Sequence, residues 1–179
     1  VDQILNYTIS DSDTEFLIRV PRGSYRLAWG VLQKGSREVV HGTPGAEGPT
    51  MDHFNPEVVQ AFLNRLLEIE RELGIPLDQL IRALFADSME LAGSNWCHDF
   101  ESEFLKRCGY SVDPYLPFVL YYYKDPYPFP INDQQFRDDI LRVRYDYTRT
   151  LVDLFHERFT ATVREFCSVH GLQCRYQAY

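Results

Sequence analysis

The chain lacks the basic charge and the long apolar runs that would mark two large classes of protein. Its 18 Lys and Arg residues are outnumbered by 26 Asp and Glu residues, which gives a formal net charge of −8. Nucleic acids and anionic membrane surfaces attract basic proteins, so neither is expected as a partner. No apolar run approaches the roughly 20 residues that cross a bilayer. Hydrophobic residues make up 45% of the chain, which is ordinary for a globular protein.

The common cysteine and glycine signatures are missing as well. The four cysteines, Cys97, Cys108, Cys167 and Cys174, form no Cys-x-x-Cys pair, which argues against a zinc ribbon. Cys167 and Cys174 flank a predicted helix-to-strand turn and could pair in an oxidising compartment, but such sparse spacing favours free thiols. The sequence also has no G-x-S-x-G around Ser94 and no G-x-G-x-x-G after a strand. Serine hydrolases and dinucleotide-binding folds are therefore disfavoured.

Apolar residues recur every three or four positions in two long segments, which predicts helices. The first begins after the N-cap residue Asn55 and ends at Gly74. A shorter helix is predicted from about Asp99 to Cys108, and a long one covers residues 133–169. The apolar stripe predicted for the long helix consists of Leu141, Tyr145, Thr148, Val152, Phe155, Phe159, Val163 and Phe166.

Three segments have the composition of strands: residues 25–32, 81–86 and 172–179. Residues 81–86 show no alternation, as expected of a strand buried on both faces of a parallel sheet. The proline-broken segment 112–133 is predicted to be irregular. Strands separated by helices indicate an α/β fold with parallel strands, and a doubly wound sheet and a (β/α)₈ barrel both fit.

A barrel needs about 250 residues, so this chain could supply only part of one. We therefore expect an excerpt of a longer protein, in which residues 1–24 are a lead-in segment and residues 25–179 belong to the barrel domain.

Two carboxylates, an amide and an indole follow the second predicted strand: Asp87, Glu90, Asn95 and Trp96. Ligands of parallel α/β folds gather at the carboxyl ends of the strands. An indole face stacks on a sugar ring while amides and carboxylates bind its hydroxyls, so these residues predict a carbohydrate site. The structural alternative is that Asp87 and Ser88 form a turn and that Trp96 packs under the next helix.

Four segments, in order, resemble glycoside hydrolase family 106, the α-L-rhamnosidases and their relatives. These are "GPTMDHFNPEVVQAFL", "LFADSMELAGSNWCHDFESEFLKRCGYSVDPYLP", "VRYDYTRTLVDLFHERF" and "HGLQCRYQAY". The resemblance spans residues 48–179. It implies a (β/α)₈ catalytic domain within a multidomain hydrolase that cleaves rhamnose-containing glycans by inverting hydrolysis. It also favours an extracellular or periplasmic location and leaves calcium possible as a cofactor.

The resemblance also implies roles for individual residues. Glu90 matches the glutamate of the D-S-x-E motif, which is expected to be the general acid. The other matching residues are expected to contact the substrate, together with Asn95 and Trp96: Asp87, Asp52, His53, Gln177 and Tyr179. The catalytic base lies beyond the Q-A-Y strand in the family, so we expect this chain to lack it. Inverting enzymes hold their two carboxyl groups about 6.5–9.5 Å apart, and burial beside Trp96 would raise the pKa of an acid at Glu90.

Two alternatives stay open at this point. The first is a carbohydrate-binding relative that has lost its catalytic base, and the second is a retaining β-glycosidase whose paired carboxyl groups lie about 5–5.5 Å apart.

Overall fold

The computed structural model describes residues 19–25, 28, 30–32, 38–39, 44–45, 47–87, 94–120 and 133–177. These residues form two compact units, one within residues 1–32 and 101–148 and the other within residues 33–100 and 149–179. Among the described helices, none is long and apolar enough to cross a membrane.

Helix α1 (Pro56–Leu73) has the ends that its sequence predicts. The side chain of Asn55 accepts hydrogen bonds from the backbone N–H groups of Glu57 (3.0 Å) and Val58 (3.3 Å). At the other end Gly74 takes a left-handed conformation (φ 65°), which a glycine adopts without strain. A short helix, α2 (Leu77–Leu80), then leads into strand β1 (Ala83–Ala86); α2 was not predicted.

Strand β1 pairs in parallel with strand β2 (Gln173–Tyr176), as the order of elements predicts. Leu84 of β1 and Tyr176 of β2 face a core that α1 and the last helix supply. The prediction that β1 is buried on both faces is wrong for the described residues, since Phe85 is 56% exposed. The reason is that the described helices of this core pack on only one face of the pair.

The long predicted helix is interrupted once. Helix α5 (Gln134–Phe155) passes into a single wide π-helical turn, residues 156–160, and continues as α6 (Ala161–Val169). Gly171 (φ 69°) ends the segment and β2 follows.

The apolar stripe predicted for this helix is wrong in its first half and right after the wide turn. Leu141, Tyr145 and Val152 are 56%, 65% and 49% exposed. The side chains that are buried are Ile140, Val143, Tyr147, Thr150, Leu154, Phe159, Val163 and Phe166. Their spacing is three or four residues up to Leu154, then five to Phe159. The wide turn absorbs that extra residue, because a π-helical turn holds more residues than an α-helical one.

The first unit contains most of α3 (Phe100–Cys108) and a short helical stretch that the sequence did not predict. A 3-10 turn (Asp113–Tyr115) and helix α4 (Leu116–Val119) occupy part of the segment expected to be irregular. Phe118 of α4 packs on the buried Ile140 of α5, and Arg144 Nε donates to the carbonyl of Phe118 (2.9 Å). This apolar anchor explains why a proline-rich stretch is ordered there.

Two further expectations concern residues near the amino terminus. The strand predicted at 25–32 lies partly outside the described residues, and residues 25, 28 and 30–32 adopt no strand pairing. Val31 in this segment is 84% exposed. The Gly- and Pro-rich segment 33–54 has the composition of a long loop, and within it Glu38 and Pro49 form an isolated antiparallel bridge.

The cap of α1 gives a first testable prediction. Asn55→Ala removes the acceptor of two backbone N–H groups, and we expect it to lower the free energy of unfolding by about 1 kcal/mol. Asn64→Ala in the same helix is the matched control, since Asn64 only accepts from the exposed side chain of Gln60 and alanine favours helix. Urea denaturation of both variants measures the difference. An equal effect of the two substitutions would contradict the capping role.

Candidate functional site

The candidate site begins at the carboxyl end of the two parallel strands. The backbone N–H of Gln177 donates to the carbonyl of Ala86 (3.0 Å), so the pairing continues one step past the named strands. This register sets Asp87 beside Gln177. Both residues are exposed and follow the alternation of Phe85 and Arg175, whose side chains meet on the face away from the core. Two residues predicted to bind substrate thus lie side by side at one strand end.

The wide turn lies at the same level as these strand ends. Helix α6 precedes β2 and runs back along it, so the beginning of α6 approaches the carboxyl end of the strand. A hydrogen bond from the Tyr176 hydroxyl to the carbonyl of Thr160 (3.0 Å) fixes this arrangement. Phe159, in the same turn, contacts the ring of His53 with 4.9 Å between ring centroids. The start of α1 is therefore at this end as well.

Asp52 and His53 occupy the turn that leads into α1. The Asp52 carboxylate accepts from the backbone N–H of Phe54 (2.9 Å), which closes the turn, and its side chain is exposed. The His53 ring is half-buried between Phe155 and Phe159. Burial lowers the pKa of His53, against the opposing effects of the Met51 backbone and the Asp52 charge. The imidazole is therefore neutral at pH 7.

Asn95 and Trp96 lie in the segment that leads into α3. Asn95 is exposed, whereas Trp96 is half-buried and packs on Phe100 with 4.6 Å between ring centroids. Phe100 itself is fully buried. The contact is the one that the structural alternative for Trp96 predicts, although half-burial leaves part of the indole accessible.

Arg158 of the wide turn joins the Trp96 segment to the His53 segment. Its Nη1 and Nη2 donate to the two carboxylate oxygens of Asp99 at 2.7 and 2.6 Å. Nη1 also donates to the carbonyl of Phe54 (3.2 Å). The Arg158 side chain is only 14% exposed. A bidentate pair of this kind is short, charge-assisted and fixed in orientation.

The pair determines the ionisation of its neighbours. Hydrogen bonding to Arg158 lowers the pKa of Asp99 to about 2, although partial burial acts in the opposite direction. The thiol of Cys97 donates to Asp99 Oδ1 (3.4 Å), and burial followed by this contact raises the pKa of Cys97 to about 12. Cys97 is therefore a protonated thiol, poorly suited to act as a nucleophile.

No sequence signal pointed to Arg158 or Asp99 as members of this site. They are 59 residues apart, and Asp99 was expected only to begin a helix. The five-residue step that marks the wide turn appears only among the buried side chains, since the stripe predicted from the sequence crosses the same region in steps of three and four residues. It could not have located Arg158.

Three further expectations from the sequence concern Glu90 and Tyr179, a bound metal, and the cysteines. Glu90 and Tyr179 lie outside the described residues. Within the described ranges, no three side chains of His, Cys, Asp or Glu converge as a metal centre requires. Asp52 and Asp87 are exposed acidic residues at this end of the strands, and two carboxylates do not make a calcium site by themselves, since that ion takes six to eight oxygen ligands. In the described residues all four cysteines are free thiols, as their spacing favoured.

The Asp99 pKa predicts a specific pH dependence of stability. The pKa of Asp99 is about 2 when folded and near 3.9 when unfolded, so the unfolded chain binds more protons between these values. The stabilisation is complete above about pH 4 and is lost as the pH falls toward 2. Asp99→Asn should cost about 2–4 kcal/mol near neutral pH, because it also leaves a buried guanidinium without its counter-charge. Urea denaturation at pH values from 6 to 3 should show that the difference in free energy of unfolding between wild type and Asp99→Asn becomes smaller as the pH falls. A constant difference would contradict the low pKa of Asp99.

The environment of His53 predicts the second pH dependence. Its folded pKa lies below the unfolded value of about 6.5, so stability falls as the pH drops below that value. The His53 Hε1 resonance should titrate at lower pH in the folded protein than in the urea-unfolded protein, and His53→Phe assigns the signal. A folded midpoint at or above the unfolded one would show that the ring is not desolvated.

Three comparisons with known proteins show what the chain is similar to. The family model described as alpha-L-rhamnosidase matches residues 7–178. A protein of Formosa agariphila named "Putative beta-glucuronidase" is 26% identical over 183 residues, which is 99% of this chain and 14% of that protein. The solved structure of a rhamnosidase from Novosphingobium sp. PP1Y superimposes with a TM-score of 0.59 and 25% identity, over 79% of this chain and 13% of the other.

The chain thus spans about one seventh of the length of each relative. The match to the family model confirms the family that the four sequence segments resemble. The chain belongs to glycoside hydrolase family 106, the alpha-L-rhamnosidase family.

Proposed function

We propose that this chain is part of the catalytic domain of a glycoside hydrolase that removes rhamnose from glycans. In this proposal residues 25–179 contribute to a (β/α)₈ barrel, and the remaining domains of a longer protein complete it. The observation that carries the proposal is the convergence of family-motif segments at one end of a parallel strand pair. Asp87 and Gln177 end the strands, and Arg158 ties the Asp52–His53 turn to the Asn95–Trp96 segment.

Glu90 is the proposed general acid. It follows Asp87 by three residues in the sequence, and Asp87 comes directly after β1 at the proposed sugar site. A general acid protonates the departing glycosidic oxygen and contributes about 10²–10⁴-fold to the rate. The catalytic base comes from sequence beyond this chain in the proposal. Water then attacks the opposite face of the sugar, and the anomeric configuration inverts.

The other motif residues bind the sugar in this proposal. The carboxylate of Asp87 and the amide of Gln177 are suited to hydroxyl groups, since one accepts and the other both donates and accepts. Tyr179 follows Gln177 by two residues in the sequence and is proposed to contact the sugar as well. The half-buried Trp96 offers an indole edge or face, and Asp52 and Asn95 supply exposed polar groups. Neutral His53 packs on Phe159, and the part of its ring that stays exposed is proposed to contact the sugar.

A second candidate substrate is a β-glucuronide, because the relative from Formosa agariphila carries the name of a β-glucuronidase. Both candidates need the same acid at Glu90. They differ in the sugar, which carries a carboxylate in one case and a methyl group in the other, and in the configuration of the bond that is cleaved. Parallel assays of the native-length protein on aryl α-L-rhamnosides and aryl β-D-glucuronides separate them.

Glu90→Gln in the native-length protein tests the acid role. Turnover of a natural glycan, whose leaving group needs a proton, should fall by about 10²–10⁴-fold. Turnover of an activated aryl glycoside should fall much less, because its leaving group departs without protonation. Glu68→Gln on the exposed surface of α1 is the matched control and should leave both rates unchanged.

If turnover of the natural and of the activated substrate falls equally, Glu90 is not the general acid. Proton NMR of the first product settles the stereochemistry, since retention of configuration would favour the retaining β-glycosidase. A protein that binds the sugar without hydrolysing it would be the carbohydrate-binding relative.

A further inference from the structure

We propose that Arg158 is a positioning residue of the active site. Its guanidinium holds the segment that carries Asn95 and Trp96 against the turn that carries Asp52 and His53, and so sets the width of the sugar site. This inference rests on the proposed function and adds a residue that touches no substrate itself.

The contacts of Arg158 constrain orientation as well as distance. Both oxygens of the Asp99 carboxylate are engaged, so the carboxylate plane follows the guanidinium plane. The third contact is to a backbone carbonyl, that of Phe54, and therefore holds the main chain of the turn itself. Nη1 also donates to the sulfur of Cys97 (3.8 Å), so the hydrogen bonds from one rigid planar group define the relative placement of two segments.

The constraint passes directly to the residues proposed to bind sugar. Asp99 stands between Trp96 and its packing partner Phe100 in the chain, so the position of Asp99 fixes the approach of the indole to that ring. Phe54 follows His53, whose ring rests on Phe159, the neighbour of Arg158. The wide turn thus supports one segment with Arg158 and the other with both Arg158 and Phe159.

The wide turn itself is held in place on two sides. The hydroxyl of Thr162 donates to the carbonyl of Arg158 (2.7 Å), and the hydroxyl of Tyr176 donates to that of Thr160 (3.0 Å). In both bonds the acceptor is a carbonyl in the part of the helix where regular pairing is interrupted. The bond from Tyr176 connects the contacts of Arg158 with Asp99 and Phe54 (the clamp) to β2, and Gln177 follows β2 directly. Arg158 is therefore anchored to the strand end on which the sugar is proposed to bind.

Lysine cannot replace this group. An ammonium is a point charge without the planar fork, so it cannot engage both carboxylate oxygens and the Phe54 carbonyl in the same geometry. A guanidinium ion supplied from solution has the required shape. If Arg158 positions the two segments, guanidinium should rescue Arg158→Ala while Arg158→Lys stays impaired. A general loss of stability would not produce this pattern.

The experiment compares Arg158→Ala and Arg158→Lys with wild type in the native-length protein. Activity is measured at a temperature where circular dichroism shows each variant folded, and is expressed per folded molecule. We expect kcat/KM of Arg158→Ala to fall by about 100-fold, since small misplacements at an active site have effects of this size. Millimolar guanidinium should restore activity to Arg158→Ala, whereas Arg158→Lys should stay impaired and unresponsive.

Arg107→Ala is the matched control. Arg107 donates from Nε (3.2 Å) and Nη2 (2.9 Å) to a single carboxylate, that of Glu103, within α3, and its side chain is 23% exposed. The Glu103 carboxylate lies one turn away on the same helix, so this ion pair, unlike that of Arg158, joins no two segments. We expect unchanged kcat/KM and no response to guanidinium.

A second readout does not depend on activity. In the native-length protein each variant is paired with its Trp96→Phe counterpart, and the difference in fluorescence between the two is the signal of Trp96. Acrylamide quenching of Trp96 should increase in Arg158→Ala and return toward wild type with guanidinium. Asp99→Asn breaks the same clamp from the other side and should increase quenching too, which keeps the test available if Arg158→Ala does not fold.

The outcomes separate this inference from the proposed function. If wild type hydrolyses no glycoside while Trp96 quenching responds as expected, the proposed function fails and the clamp stands. If folded Arg158→Ala has the same kcat/KM and the same Trp96 quenching as wild type, the positioning role of Arg158 is overturned. An equal loss in Arg107→Ala, or guanidinium that raises the melting temperature without restoring activity, would also overturn it.

Discussion

The ion pair between Arg158 and Asp99 is the contact on which the proposed sugar site depends. Removing two charges from water costs several kcal/mol, and the pair recovers this only because both carboxylate oxygens and a backbone carbonyl accept from one guanidinium. A purely apolar contact could hold the same segments together. It would not fix their rotation, and a sugar site needs fixed directions for its hydrogen bonds.

The strand pair provides the second constraint. Leu84, Cys174 and Tyr176 pack toward the helices, which leaves Phe85 and Arg175 on the other face. In an enclosed barrel that other face would line the interior, and the residues one step further along each strand would reach its mouth. Asp87 and Gln177 occupy this position, so the alternation that builds the core also decides which side chains can meet a substrate.

Much of this arrangement could be predicted from local sequence. Asn55, Pro56 and Gly74 mark the ends of α1 because capping depends on a few adjacent residues, and the parallel pairing of β1 with β2 follows from the helices between them. The family itself was recognisable in four ordered segments. Asp87, Asn95 and Trp96 were predicted as site residues because they follow a predicted strand, and Gln177 was predicted from the family resemblance.

What the sequence could not predict depends on distant contacts or on an irregular turn. Arg158 and Asp99 meet across 59 residues, and neither has a neighbour that marks it. The short α4 forms because Phe118 finds Ile140, a contact that the proline content of its segment conceals. The exposure of one face of β1 was not predicted, because a run of apolar residues does not indicate whether helices pack on one face of a strand or on both.

The wide turn also affects how this family should be aligned. Residues 156–160 carry the extra residue that separates Leu154 from Phe159 by five positions. A homologue with an uninterrupted helix would therefore need a one-residue gap here, and the positions before and after it would drift by about 100° in helical phase if that gap were omitted. Placed wrongly, the gap would match Arg158 to an outward-facing position, and the arginine would look variable even where it is retained.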